Sequence, residues 1–474
     1  MLADHSAPGF EICGSLRMRE NWAVRLDLKQ TVLIGLGTIC FSLIWTTYNL
    51  FVPLFLQAGD PVFDVQHGIA LRGFGMSAAL TGVMMTLDNV LAVLIAPFIG
   101  IWSDRARTRI GRRYPFILAS VPFIVVSFAL IPFTTQAFPA AGGGMRSAAF
   151  PLFMGTAALT LLGMAVFRTP VRALMPDLTP SPLRSKANGV LEFMGGVASV
   201  ITALGIASLF DIRPWLPFIL TALLVGIAVS LLYLTVREPD PSSLPHPTQQ
   251  PGLPLHRAGS LRKTRLIPRE ARTSLIFLLL AVFGFSLGYN ALETFYSSYA
   301  VTQLGVSAGG AARMFAAALV AFIIGAIPAG YVGERIGRKN TILIGLSGFA
   351  LVILLFFLVP GMRINALALA VGGLAWALVS VNALPMVLDT TEDTRLAGTY
   401  TGLYYVAAQA ASIAAPILTG AVIDWMGRNY NALFLVTLVF FILAIVFMTF
   451  VTRGEAHGPG HRVSPLPGGV MPAE

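Results

Sequence analysis

Twelve stretches of this chain are long and apolar enough to cross a bilayer, which leaves few folds open to it. They run over 31–57, 78–102, 114–134, 149–173, 187–209, 214–236, 274–299, 310–333, 340–360, 364–388, 398–424 and 430–452. A helix needs ~20 apolar residues to cross the hydrocarbon core. No water there satisfies backbone N–H and C=O groups, so each stretch must close its own hydrogen bonds, as an α-helix does. Composition agrees: 56% of the residues are hydrophobic and 11% are charged, against about 25% charged in a soluble domain. The expected fold is an all-α integral membrane protein with about 12 transmembrane helices.

The stretches divide into two sixes. Between them lies "REPDPSSLPHPTQQPGLPLHRAGSLRKTRLIPREART" (237–273), whose proline, serine and basic residues read as a flexible linker. This gives a tail over 1–30, a six-helix bundle over 31–236, the linker 237–273, a second bundle over 274–452, and a tail over 453–474. The run from Val32 is too long and too poorly flanked for a cleaved signal peptide, so a retained helix is expected. Cys13 and Cys40 imply no disulfide framework.

The basic residues set an orientation. With the N-terminus inside, 25 of the 32 Lys and Arg fall on cytoplasmic segments. Only Arg72, Arg146, Arg213, Arg363 and Arg428 fall outside, while Arg168 and Arg313 lie within spans. That asymmetry places both termini and the linker in the cytoplasm, on the inner side of a cell membrane. It also accounts for the net charge of +10 without nucleic acid.

The two sixes carry matching motifs. Gly100-Ile-Trp-Ser-Asp104-Arg105, then Gly111-Arg112-Arg113, follow the second stretch. Gly330-Tyr-Val-Gly-Glu334-Arg335-Ile-Gly337-Arg338-Lys339 follows the eighth. A second pair sets Asp177 and Gly189 against Asp389 and Gly402. Internal repeats of this kind are expected of carriers whose halves rock about a central site.

These motifs resemble the loop signature G-x-x-x-[DE]-[RK]-x-G-R-[RK] of the major facilitator superfamily. The second copy fits directly, and the first, "SDRARTRIGRR", is stretched by four residues. The stretched form is similar to the glycoside–pentoside–hexuronide:cation symporter branch, and "VRALMPDL" (171–178) resembles the fourth-helix end of its sucrose/proton symporters. The resemblance implies two pseudo-symmetric six-helix bundles, alternating access and proton-coupled sugar transport. It also implies a part in sugar transport for the fourth-helix arginine, here Arg172. Plant carriers of that branch have an acid about three turns earlier, where this chain has Leu161, so a coupling carboxylate must come from elsewhere.

Three carboxylates lie well inside the spans: Asp88, Glu192 and Glu293. A charge at mid-bilayer costs roughly 2.5–3.5 kcal/mol on insertion scales, so intramembrane acids are read as functional by default. Asp88 lies 11 residues from Ser77 and 16 from Asp104, about midway across at ~1.5 Å per residue. It is the first candidate to carry a proton; the alternative is a hydrogen bond that fixes packing, and Asn89 beside it suits either. All six histidines (His5, His67, His246, His256, His457, His461) fall in tails or loops.

Arg168 and Arg172 share a helix face. They are read as counter-charges for Glu192, as donors to sugar hydroxyls, or as side chains that snorkel to the interface. Tyr289, Glu293 and Tyr296 form a stripe beside Asn290, and Gly288 is expected to interrupt that helix. Glu293 then either touches the substrate or pairs with Arg313. Further binding candidates are Trp45, Tyr48 and Asn49, then Asn382 near Trp376, then Tyr404 and Gln409. Rings with polar neighbours suit a sugar, although amides in a membrane also glue helices together. Asp104, Arg105, Gly111, Arg112, Arg113, Asp177, Glu334, Arg335, Gly337, Arg338 and Asp389 are read as a cytoplasmic gate.

The sequence carries neither a Walker-type loop nor a catalytic triad or metal-ligand pattern. The reading is a monomeric secondary transporter for a small neutral solute, a sugar. No cofactor is expected, only a coupling ion: H+, with Na+ as the alternative. One inward charge is equivalent to ~2.3 kcal/mol per 100 mV, enough to concentrate a neutral solute roughly 50-fold. Two other readings stay open: an exporter of amphipathic drugs, and a transport-inactive receptor or scaffold.

Overall fold

The structure, a computed structural model, describes residues 27–60, 71–136, 148–179, 183–238, 269–359, 362–390 and 397–454. Thirteen α-helices run through them in chain order. The first set is α1 (Leu28–Gln57), α2 (Ala78–Met85), α3 (Leu87–Arg105), α4 (Tyr114–Gln136), α5 (Ala149–Leu178), α6 (Arg184–Leu204) and α7 (Leu216–Thr235). A 3-10 helix, Ile206–Asp211, follows α6. The second set is α8 (Arg269–Leu304), α9 (Ala308–Ile336), α10 (Arg338–Leu358), α11 (Met362–Leu388), α12 (Ala397–Trp425) and α13 (Ala432–Thr449). They supply 12 spans long and apolar enough to cross a membrane among the described residues. Most of the linker, all six histidines and Cys13 lie outside those residues.

The second span, expected as one helix, is two. Thr86 donates its hydroxyl to the Val83 carbonyl at 2.7 Å, and its N–H turns to the same oxygen at 3.2 Å. A local side-chain bond of this kind competes with the i→i−4 ladder and leaves a tight turn between α2 and α3. The seventh span is unbroken. Gly288 serves close packing instead: a Cβ there would stand 2.6 Å from the Phe441 ring of α13. The discontinuity therefore falls at Thr86, two residues before Asp88, and not at Gly288.

Most helices pack within their own set, as α4 does on α5, α1 on α6, α9 on α11 and α8 on α13. The stub α2 is an exception and packs chiefly on α12 of the other set. Glycines permit that approach, since a Cβ on Gly82 would stand 2.0 Å from the Pro416 carbonyl, and one on Gly420 2.3 Å from that of Ala78. Small-residue contacts of this kind are how helices associate in lipid. Below, the "terminal face" is the end of the bundle where α1 starts and α13 finishes, and the "far face" is the opposite end.

Candidate functional site

Break and bundle together put the polar residues around two voids near mid-span. Asp88 stands in the first turn of α3, buried at 8% exposure, and accepts from the Asn89 amide at 3.1 Å. Asn89 in turn accepts from Gln409 Nε2 of α12 at 2.6 Å. A directed chain thus runs from the second set of helices to the Asp88 carboxyl. Asp88, Trp45, Tyr48, Leu161 and Arg168 line one small void. Arg168 and Arg172 both face the Phe41 ring, at 4.9 and 5.8 Å from its centroid.

Glu293 sits on α8 across the boundary between the sets, where its Oε1 accepts from the Asn49 amide at 3.2 Å, with Trp45 beside the same carboxyl. The expected pair with Arg313 is not made. Arg313 enters α9 at the far face and lies 3.6 Å from Asp211 instead, several turns from the Glu293 level. Glu192 is exposed and, among the described residues, forms no ion pair with Arg168 or Arg172.

The larger void, about 290 Å³, lies between the sets. Ser42, Glu192 and Ser199 line it from the first set, and Tyr289, Phe315 and Trp376 from the second. Tyr289 and Trp376 stack with centroids 4.1 Å apart and planes 7° apart. The void is near the lower end of small-molecule sites, which run from ~300 Å³. Its second-set wall combines these rings with aliphatic side chains such as Leu292, Leu319 and Val352, and its first-set wall carries the hydroxyls and a carboxyl.

Three candidates face elsewhere. Asn382 is buried and uses its amide hydrogens on the Ala329 and Leu378 carbonyls, at 3.1 and 3.0 Å, which joins α11 to α9. The Asn290 amide turns back to the Ser286 carbonyl of its own helix at 2.7 Å. Tyr404 is half-buried against the core with Tyr405 edge-on to it.

The residues read as a gate pair within their own set. Asp177 accepts from Arg112 at 2.5 Å and Arg113 at 2.9 Å, and Arg113 also meets Asp104 at 2.5 Å. The Glu238 carboxylate accepts from the backbone N–H groups of Arg112, Arg113 and Tyr114, which caps α4. Gly111, at φ 107, lets the loop close onto Glu238, and Gly337, at φ 90, makes the α9–α10 turn. Arg338 pairs with Asp389, whereas Arg105, Glu334 and Arg335 are exposed. Sequence reading passed over Phe41, Ser42 and Ser199. It also passed over three far-face acids, Asp60, Asp211 and Asp424, which join the two sets.

Two sets of six spans around a central void, largely apolar with a few polar groups, are the architecture of a membrane transporter. The Major Facilitator Superfamily model matches residues 34–320 and 278–468, so the chain belongs to that family. It is similar to a sucrose transport protein (SUT3) of Oryza sativa subsp. indica, 28% identical over 33% of this chain and 34% of that one. The chain thus matches about a third of that relative's length. It is 24% identical to the sialic acid transporter NanX of Escherichia coli (strain K12), over 59% of this chain and 66% of that one. In fold it resembles a nucleoside transporter, NupG, with TM-score 0.66 and 13% identity over 89% of this chain and 100% of that one. A D-xylose-proton symporter gives TM-score 0.62 and 16% identity over 90% and 98%.

Proposed function

We propose that this chain is a proton-coupled symporter for a small neutral sugar, working by alternating access, with both termini in the cytoplasm. The observation that carries the reading is the shared void of Asp88 and Leu161. The resemblance to sucrose/proton symporters implies an acid on the fourth span, where Leu161 stands here. In this fold Asp88 of the second span opens onto the void that Leu161 lines, next to Arg168. Asn89 donates to that carboxyl and Arg168 lines the same void, so an acid able to carry a proton stands with its partners there.

The Tyr289–Trp376 platform supports a sugar by covering its C–H face, while Ser42, Ser199 and Glu192 supply hydroxyl partners. Joined at the far face and exposed at Arg172 and Glu192, the molecule matches a carrier open to the cytoplasm.

The test is uptake of labelled sucrose, maltose and related sugars into vesicles holding the purified chain, with an imposed pH or Na+ gradient. Accumulation driven by the pH gradient is expected. Accumulation driven by Na+ alone would replace the ion. Transport of amphipathic drugs without sugars, or no flux at all, would replace the reading with an exporter or a receptor.

A further inference from the structure

At the far face the two sets of helices are held together by acids that reach across the boundary. Asp424, in the last turn of α12, accepts from the N–H groups of Ala78 and Ala79 at 3.0 and 2.9 Å. These open α2. Asp211, ending the 3-10 helix after α6, accepts from the Gly309 N–H at 3.0 Å and the Ser307 hydroxyl at 2.8 Å. These open α9, and Arg313 is one turn further along. The first turn of a helix has N–H groups without partners and a positive dipole end, so an anion is favoured there.

The two receiving helices start alike. Gly75-Met-Ser77-Ala78 and Gly305-Val-Ser307-Ala308 read as one motif. Their glycines have φ 61 and 63, a left-handed turn that a side chain would strain. Ser77 (φ −64, ψ 159) and Ser307 (φ −62, ψ 159) then cap the N–H three residues on. Ser77 and Ser307 are 230 residues apart, as are Asp104 and Glu334. Asp211 and Asp424 are 213 apart, as are Gly189 and Gly402. The same internal repeat therefore builds both contacts. An acid of the first set caps a helix of the second, and its counterpart returns the contact in the opposite direction. Asp60 and Arg428 add a third link.

We propose that Asp211 and Asp424 are paired latches of the transport cycle, each holding the far face shut through a helix of the opposite set. Both must release before that face opens. The proposal holds for any solute or ion and does not depend on the role of Asp88.

The test uses the full chain purified in detergent, with Cys13→Ala and Cys40→Ala, and a reporter at Ser298→Cys. Ser298 is fully buried between α8 and α1, where it bonds Gln57 at 2.5 Å. Its reaction with a polar maleimide measures how often the far face opens. Loss of one capping acid shifts such an equilibrium about fivefold, and well-separated sites add their free energies. Asp211→Ala and Asp424→Ala should each raise the labelling rate about fivefold, and together about 25-fold. Arg313→Gln should raise it less. A double variant that elutes and melts like its parent but labels within twofold of it would overturn the proposal. Should the double alanine variant misfold, the single variants Asp424→Ala and Asp211→Ala decide on the same readout. A faster rate supports the latch, and an unchanged rate sinks it.

Discussion

Asp88 and Leu161 make a swap testable residue by residue. In Asp88→Asn the amide still accepts from Asn89, so the protein should fold, but it has no proton to exchange. Accumulation driven by a pH gradient should collapse at least tenfold while solute exchange persists, as vesicle counterflow would show. Adding Leu161→Asp to that variant returns a carboxyl to the same void and should restore part of the accumulation. A double variant as inert as Asp88→Asn would mean that the position on α3, and not the void, is what coupling requires. The ring pair makes a separate prediction. Trp376→Leu removes a ring that lines the central void and should raise KM for the solute, with kcat less affected, as initial-rate uptake would show.

At the scale of elements, the spans were legible because twenty consecutive apolar residues in lipid leave a helix as the available solution. What glycine and threonine do inside them was not. Gly288 and Gly82 look alike in sequence. Both admit a neighbour rather than break a helix, and the neighbours, Phe441 and Pro416, lie far along the chain. Thr86 breaks its span through a hydroxyl bond that no periodicity announces. Gly82→Val should drive side-chain atoms into the Pro416 carbonyl and part α2 from α12. We expect normal insertion, faster labelling of Ser298→Cys, and net uptake reduced tenfold or more. Uptake at the parent level would mean that this helix pair never closes during transport. Gln409→Leu cuts the chain to Asn89 and Asp88 at its far end. It should loosen the ratio of protons to solute while leaving exchange intact, measured by paired proton and sugar fluxes.

Across the whole molecule, the twelve spans were readable from the apolar stretches and the family from the doubled loop motif, yet the conformation was not. Both end states of a rocking carrier use the same residues, and a few kcal/mol separate such states. The gate motif was found, but its pairs here stay within one set of helices: Arg113 with Asp177 and Asp104, Arg338 with Asp389. Opening the far face should bring the terminal-face ends together and cover Glu334 and Arg335, now exposed. A Glu334→Cys reporter should therefore label more slowly once Asp211 and Asp424 are both alanine. Labelling that quickens at both faces would indicate loosening in place of rocking.

The eight residues of α2 belong by sequence to one half and by contact to the other. The stub ends at Thr86, two positions before the Asp88 carboxyl. Because glycines alone allow α2 and α12 to touch, any side chain or compound that pried them apart would act at one seam on both halves.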